Sequence, residues 1–492
     1  MKPWLTKSRF MAGQQCLKRL WQQCHDRLEE PASSAALETG ITVGQLAHRL
    51  FPEGVLIEAS PLELQAAIRK TEQAMKDKAP AIFEATVSAS RLLARLDILE
   101  RLPRAAWGIR EVKSSTKVKE EHLDDLAFQL LVARRAGYTI RSAQLIHVNK
   151  DYTLKGKALD VDAYFTRVEL LKQVEERLPD IEAQLRAFLE TIDSVAIPKT
   201  QPWNHCYSPY ECEFLERCTA KHPADWVLNL PRLSKKASSE LQARGILSIA
   251  KIPDDIPLSQ NQALIQRAHK TRRPFISPQL AAALKNMGPP AHYLDFEAML
   301  PAVPIYQQTR PYQAVPFQWS LHHVGTRGKL SHKAFLASGS EDPRKDFVSS
   351  LLDALGGSDT PILVYSSYER TTLTSLAQQF PKFQKPLNRV IDRLEDLMKV
   401  VQQHYYHPAF NGSYSIKAVG PALAPEIRYD ELEHVGDGGT AASVFEAIAA
   451  SRIDNPEQVR TYRSALLEYC RLDTLAMVEV HRALSSLSRK VY

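Results

Sequence analysis

The run Arg95-Leu96-Asp97-Ile98-Leu99, followed shortly by Ile109-Arg110-Glu111-Val112-Lys113, decides the reading of the N-terminal half of this chain. Side chains alternate faces along an extended strand, so Glu111 and Lys113 point the same way. If the two runs are adjacent strands, Asp97, Glu111 and Lys113 meet at one sheet edge. The C-terminal half holds a second constellation. Asp295-Phe296-Glu297 places two acids on one strand face, and far downstream Tyr469-Cys470-Arg471-Leu472-Asp473 puts Tyr469 and Asp473 on one helix face. Oxygen ligands grouped in this way suit Mg²⁺ or Mn²⁺, which activate water and neutralise a phosphodiester. The chain therefore reads as two metal-dependent nucleases in one polypeptide.

Around the first constellation, Ala81 to Val87, Arg91 to Glu100, Trp107 to Lys113 and Ser142 to Val148 read as strands, and His122 to Ala136 as an amphipathic helix. A mixed sheet with crossover helices follows. From Trp226 to Pro290 the chain is polar and helical, punctuated by Pro231, Gly245, Pro253, Pro257 and Pro274. From Ala291 onward, strands at Ala291 to Glu297 and Pro316 to His323 open a second alternation of strands and helices. The expected fold class is α/β multidomain: a nuclease domain over residues 1–224, a helical connector over 225–290, and a second α/β domain over 291–492.

A chain of 492 residues, 44% hydrophobic and 24% charged, is long enough for several packed cores and does not read as disordered. The formal net charge of +7 suits a polyanionic partner without identifying one. The N-terminus lacks the apolar core and cleavage site of a signal peptide, and no run reaches membrane-spanning length. A cytoplasmic protein with no membrane partner is expected. Six cysteines in so long a chain do not make a disulfide framework, so their grouping matters more than their number.

The downstream helix carries Asp125 and Gln129 at a helical interval, facing the same cleft as the strand acids. With it, the N-terminal pattern resembles the RecB-like branch of the PD-(D/E)XK nucleases over roughly the first 220 residues. That resemblance implies that Asp97 and Glu111 bind the metal, Lys113 orients water or stabilises charge, and Gln129 supports the cluster. The branch carries a His four residues after a Gly on an early helix, and Gly44-Gln45-Leu46-Ala47-His48 makes His48 a candidate further ligand. Cys206, Cys212 and Cys218, with the distant Cys16, resemble the iron-sulfur staple of CRISPR-associated RecB-like nucleases. A 4Fe-4S cluster on these four thiolates is implied; zinc or partly free thiols are the alternatives at this looser spacing. Cys24 and Cys470 read as ordinary small residues.

The C-terminal half resembles the DEDD exonucleases of the ribonuclease H-like superfamily. Tyr293-Leu294-Asp295-Phe296-Glu297 matches their first motif, and Tyr469 four residues before Asp473 matches the third in its tyrosine form. Gly412 to Val419 resembles the segment preceding that motif. The second motif falls at Val364-Tyr365-Ser366-Ser367-Tyr368-Glu369, with Glu where the family has Asp. Glu369 is assigned as the third carboxylate, with Asp392 or Asp396 as fallback. By this likeness Asp295, Glu297, Glu369 and Asp473 hold two metals while the Tyr469 hydroxyl positions water.

Three weaker signals have bland alternatives. Leu230 to Ile246 carries a faint likeness to helix-hairpin-helix elements, against a plain helical spacer. Lys7, Arg9, Lys18 and Arg19 suit a DNA backbone, against an exposed basic helix face. Tyr405, Tyr406 and His407 suit base stacking, against buried aromatics at an element end. Together the features resemble an uncharacterised bacterial family fusing a RecB-like nuclease to a DEDD exonuclease-like domain. The expectation is a nuclease acting on DNA in repair, recombination or defence; the alternative is a nucleic-acid-binding scaffold with one or both sites decayed.

Overall fold

From Leu92 to Leu102 buried side chains alternate with more exposed ones along most of the run, the period-2 pattern of a strand with one face on a core. This strand, β4, is central to a seven-stranded mixed sheet. The strands are β1 (Leu5–Thr6), β2 (Val55–Leu56), β3 (Ala81–Ala89), β4, β5 (Ala106–Lys113), β6 (Ile140–Val148) and β7 (Phe165–Glu169). Their order is β2-β3-β4-β5-β6-β7, with β1 beside β4. The pairs β3–β4 and β4–β5 are antiparallel and β5–β6 is parallel, the last needing a crossover. The structure, a computed structural model, describes residues 3–26, 35–58 and 63–489.

Among the helices are α1 (Lys7–Gln15), α2 (Leu17–His25), α3 (Ala35–His48), α4 (Leu64–Lys76) and α5 (Glu120–Arg135). Helix α5 makes the β5–β6 crossover and is buried along nearly its whole length, from His122 to Ala133. Its Phe128 ring stacks on Phe10 of α1 at 4.7 Å, and Phe10 also meets Phe188 at 5.4 Å. Full burial of one such ring contributes about 1.5–3 kcal/mol, enough to fix α1 on this core. Thr6 caps α1 by accepting the Arg9 N–H at 3.3 Å, which sets where the helix begins and so where Lys7 stands.

A separate five-stranded sheet is built from β9 (Ala291–Met299), β10 (Val315–Val324), β11 (Leu330–Leu336), β12 (Ile362–Val364) and β13 (Leu394–Asp396), in the order β11-β10-β9-β12-β13. β9, β10 and β11 pair antiparallel, whereas β12 runs parallel to both β9 and β13. The terminal helix, Pro456–Ser488, packs across β9 and β10. A short ribbon joins β8 (Phe275–Ile276) to β14 (Tyr405–Tyr406).

The strands and the helix expected around both constellations form, with ends shifted by one or two residues. The domain division differs from the expected three parts. The chain forms two units, one of Met1–Lys221 with Ala302–Tyr312, the other of His222–Pro301 with Gln313–Tyr492. The 225–290 stretch is thus no separate connector: Tyr414 donates to Asn261 at 3.1 Å, and His269 Nε2 lies 3.1 Å from the Tyr406 hydroxyl, which ties it into the second unit. The excursion 302–312 belongs to the first unit: Tyr164 donates to the Ala302 carbonyl at 3.0 Å, Leu154 N–H to Thr309 at 3.0 Å, and the Tyr312 hydroxyl to Ser114. Tyr405 and Tyr406 are 3% and 0% exposed, so the stacking platform fails and the buried-aromatic alternative holds for both. Among the described residues, no helix is long and apolar enough to cross a membrane.

Candidate metal sites and a cysteine pocket

In the first unit β5 delivers Glu111 and Lys113 side by side, and α5 lays Asp125 and Gln129 over them. Lys113 Nζ donates to Glu111 Oε1 at 2.6 Å and to Asp125 Oδ2 at 2.7 Å. Gln129 Nε2 donates to Glu111 Oε2 and Asp125 Oδ1, both at 2.7 Å. Asp97, on neighbouring β4, accepts the Val112 N–H at 2.7 Å. Lys7 completes the group, its Nζ 2.9 Å from Glu111 Oε1. Sequence spacing held no sign of Lys7 here, since its place depends on how α1 docks. It also overturns the exposed basic face read for this lysine.

Burial tends to raise the Glu111 carboxyl, but Lys113 and Lys7 outweigh it and hold the group below its ordinary range. Asp97 is pushed up to about 7 by burial and then by Glu111, against the opposing pull of Lys7 and Lys113. His48, the further candidate ligand, ends α3 with its ring stacked 3.9 Å from that of Phe83, and burial lowers its pKa.

Cys16, at the end of α1, lines one small pocket with Cys206, Cys212, Cys218 and His205. None of the six cysteines forms a disulfide. The late segment is held against the N-terminal helices by Gln15, which donates to the carbonyls of His205 and Tyr210 at 2.7 Å each, and by the Arg19–Glu213 ion pair at 2.8 Å. Arg19 is thereby a structural partner of the pocket. Burial pushes the Cys212 thiol up to about 11, while a hydrogen bond donated by His205 to Cys206 favours the protonated ring and raises His205. Burial thus favours the protonated Cys212 thiol.

The second unit brings its predicted acids together. Asp295 and Glu297 project from β9, Glu369 opens the helix Tyr368–Gln379 after β12, and Tyr469 and Asp473 come from the terminal helix. Burial and then repulsion from Asp473, Glu297 and Glu369 raise Asp295 well above the usual carboxylate range. Glu297 is pushed up to about 8 by burial and then Asp473, with Lys417 opposing. Burial also takes Glu369 to about 7 against a hydrogen bond from Ser366. Of the fallbacks, Asp392 is exposed and Asp396 caps the helix Leu397–His404 by accepting the Lys399 N–H at 3.3 Å.

Sequence reading missed three neighbours of this cluster. Tyr429 donates to Asp473 Oδ1 at 2.6 Å, and Lys417 Nζ lies over the Tyr469 ring at 4.8 Å. Cys470 is fully buried, with Sγ 3.4 Å from Asp295 Oδ2. Its position three residues before Asp473 on one helix was a usable signal. Among the described residues, Asp295, Glu297 and Cys470 are the group whose donor atoms lie mutually within 4.8 Å.

These raised acids predict a pH dependence. Carboxylates whose folded pKa exceeds the unfolded value favour folding at low pH, and that stability is lost as pH rises through the folded pKa. With Glu369 near 7 and Glu297 near 8, melting in EDTA should fall by roughly 5 °C or more between pH 6 and pH 9. Calorimetry on Glu297→Gln should show a flatter slope; an identical slope would place the buried charge elsewhere.

Residues 292–415 match a family model described as a domain of unknown function (DUF2779). The match spans Asp295, Glu297 and Glu369 and ends before Tyr469. Comparison with curated proteins found no match.

Proposed function

We propose that this chain is a metal-dependent nuclease with two phosphodiesterase sites, acting on DNA in repair, recombination or defence against foreign DNA. The observation carrying the reading is the convergence of Asp295, Glu297, Glu369, Tyr469 and Asp473, drawn from three elements far apart in sequence, into one buried cluster. Structural ion pairs bring opposite charges together; this cluster concentrates like charges at a desolvation cost that protonation or a bound cation offsets. Its carboxylate oxygens fit Mg²⁺ or Mn²⁺, which would supply an activated water and neutralise the phosphodiester, with the Cys470 thiol beside Asp295. The chain's own groups do the rest: Asp473 and Lys417 hold Tyr469 so that its hydroxyl orients the attacking water. The domain assignments proposed are PD-(D/E)XK for the first unit and ribonuclease H-like for the second.

In the first unit Asp97 and Glu111 would hold a cation, with Lys113 stabilising developing charge and Gln129 fixing Glu111. A 4Fe-4S cluster on Cys16, Cys206, Cys212 and Cys218 is part of the proposal; it is supported by the four residues' lining one pocket although they come from both ends of the unit. A cytoplasmic setting, where thiols stay reduced, is proposed with it.

Nuclease assays with Mg²⁺ and Mn²⁺ on single-stranded DNA, duplex DNA and RNA test the reading. Glu111→Ala is expected to remove one activity and spare the other, and Asp295→Ala to do the reverse. Cleavage unchanged in both variants, with contaminating nuclease excluded, would favour the scaffold reading.

A further inference from the structure

Glu111 is crowded by donors. Its Oε2 takes the Gln129 amide at 2.7 Å, and its Oε1 takes two ammonium groups, Lys113 at 2.6 Å and Lys7 at 2.9 Å. Oε1 already carries two donors, so a divalent ion that coordinates that oxygen must displace one of the ammonium groups. Gln129 is fully buried on α5 and bridges to Asp125, so it cannot leave without breaking that helix's packing. Lys113 is held by two short contacts, the second to Asp125 at 2.7 Å. Lys7 is the most loosely held. Its second contact, to Asp125 Oδ1, is 3.6 Å long against 2.7 Å for Lys113, while the two side chains are about equally exposed, at 23% and 26%. Its backbone is fixed by β1 on one side and α1 on the other, so the flexible four-carbon stem is the part that moves.

We infer that Lys7 is a resident counter-cation of the acid cluster, occupying Glu111 until a divalent ion displaces it and so weakening the site's affinity for that ion. The inference rests on the reading of Asp97 and Glu111 as cation ligands. Displacement swings an ammonium outward at the mouth of the site, where an anionic backbone would approach. Lys7 is thus a positioning residue: it acts through Glu111.

Mn²⁺ binding measured by calorimetry and by electron paramagnetic resonance tests this in the full chain carrying Asp295→Asn and Asp473→Asn, which silence the second cluster. Lys7→Met is expected to tighten Mn²⁺ binding about tenfold by removing a competing charge, while Lys7→Arg stays within about twofold of the parent because it retains that charge. Lys7→Gln repeats the measurement should Lys7→Met fail to fold. Unchanged or weaker binding in the neutral variants, with Glu111→Gln abolishing it, would overturn the role of Lys7 and leave the metal reading standing. Mn²⁺ binding that ignores Glu111 in every variant would overturn both.

Discussion

Glu369→Gln, on a Glu111→Ala background, is expected to cut the release of mononucleotides from the 3′ end of labelled oligonucleotides by about 100-fold or more, whereas Asp392→Asn leaves it intact. Misplacing a reacting group by one ångström costs about that much. The expectation follows from position: Glu369 is 3% exposed and repels Asp295 electrostatically, while Asp392 is exposed at the end of its helix. Because Glu is one methylene longer than Asp, a cation bound by it would sit displaced, and Mn²⁺ should support more activity than Mg²⁺, whose octahedral demand is stricter. Full activity in Glu369→Gln together with loss in Asp392→Asn would remove Glu369 from the site. Absence of stepwise 3′ products with any metal would remove the exonuclease itself.

Cys212→Ser should lose essentially all bound iron and lower the melting temperature of the first unit. Anaerobically purified wild type should be brown, with the broad visible absorption of iron-sulfur charge transfer. The pocket joins Cys16 to the late segment, which is otherwise tied to the N-terminal helices by hydrogen bonds and the ion pairs Arg19–Glu213 and Arg217–Asp26, so cluster loss should loosen that segment. The resident His205 gives zinc a fourth partner if one cysteine stays free. Colourless protein with stoichiometric zinc would refute the iron-sulfur assignment.

The strands that carry chemistry were legible because their signal is local. Period-2 alternation around Asp97, Glu111 and Asp295 and the four-residue step from Tyr469 to Asp473 depend only on neighbouring residues. What escaped depends on tertiary docking. Lys7 reaches Glu111 because Phe10 stacks on Phe128, a contact between residues with no sequence relation. Tyr429 meets Asp473 from a short turn of irregular sequence. His48 fitted a spacing rule, and the stacking of its ring on Phe83 was not legible, since spacing fixes a helix face and not the neighbour waiting there. The fallback acids show the reverse case: Asp392 and Asp396 are nearer in type to the expected residue, but Glu369 begins the helix that opens onto the cluster.

The excursion of residues 302–312 into the first unit makes the chain cross the boundary between its units three times. A fragment ending at Lys221 would lack Tyr312, whose hydroxyl grips Ser114 next to Lys113, along with the backbone partner of Leu154. The two units are therefore not beads on a string. No single cut or recombination point separates them with both cores intact, so exchange of one half for another would carry a gap in its fabric, and the pair must be inherited, synthesised and lost as one object.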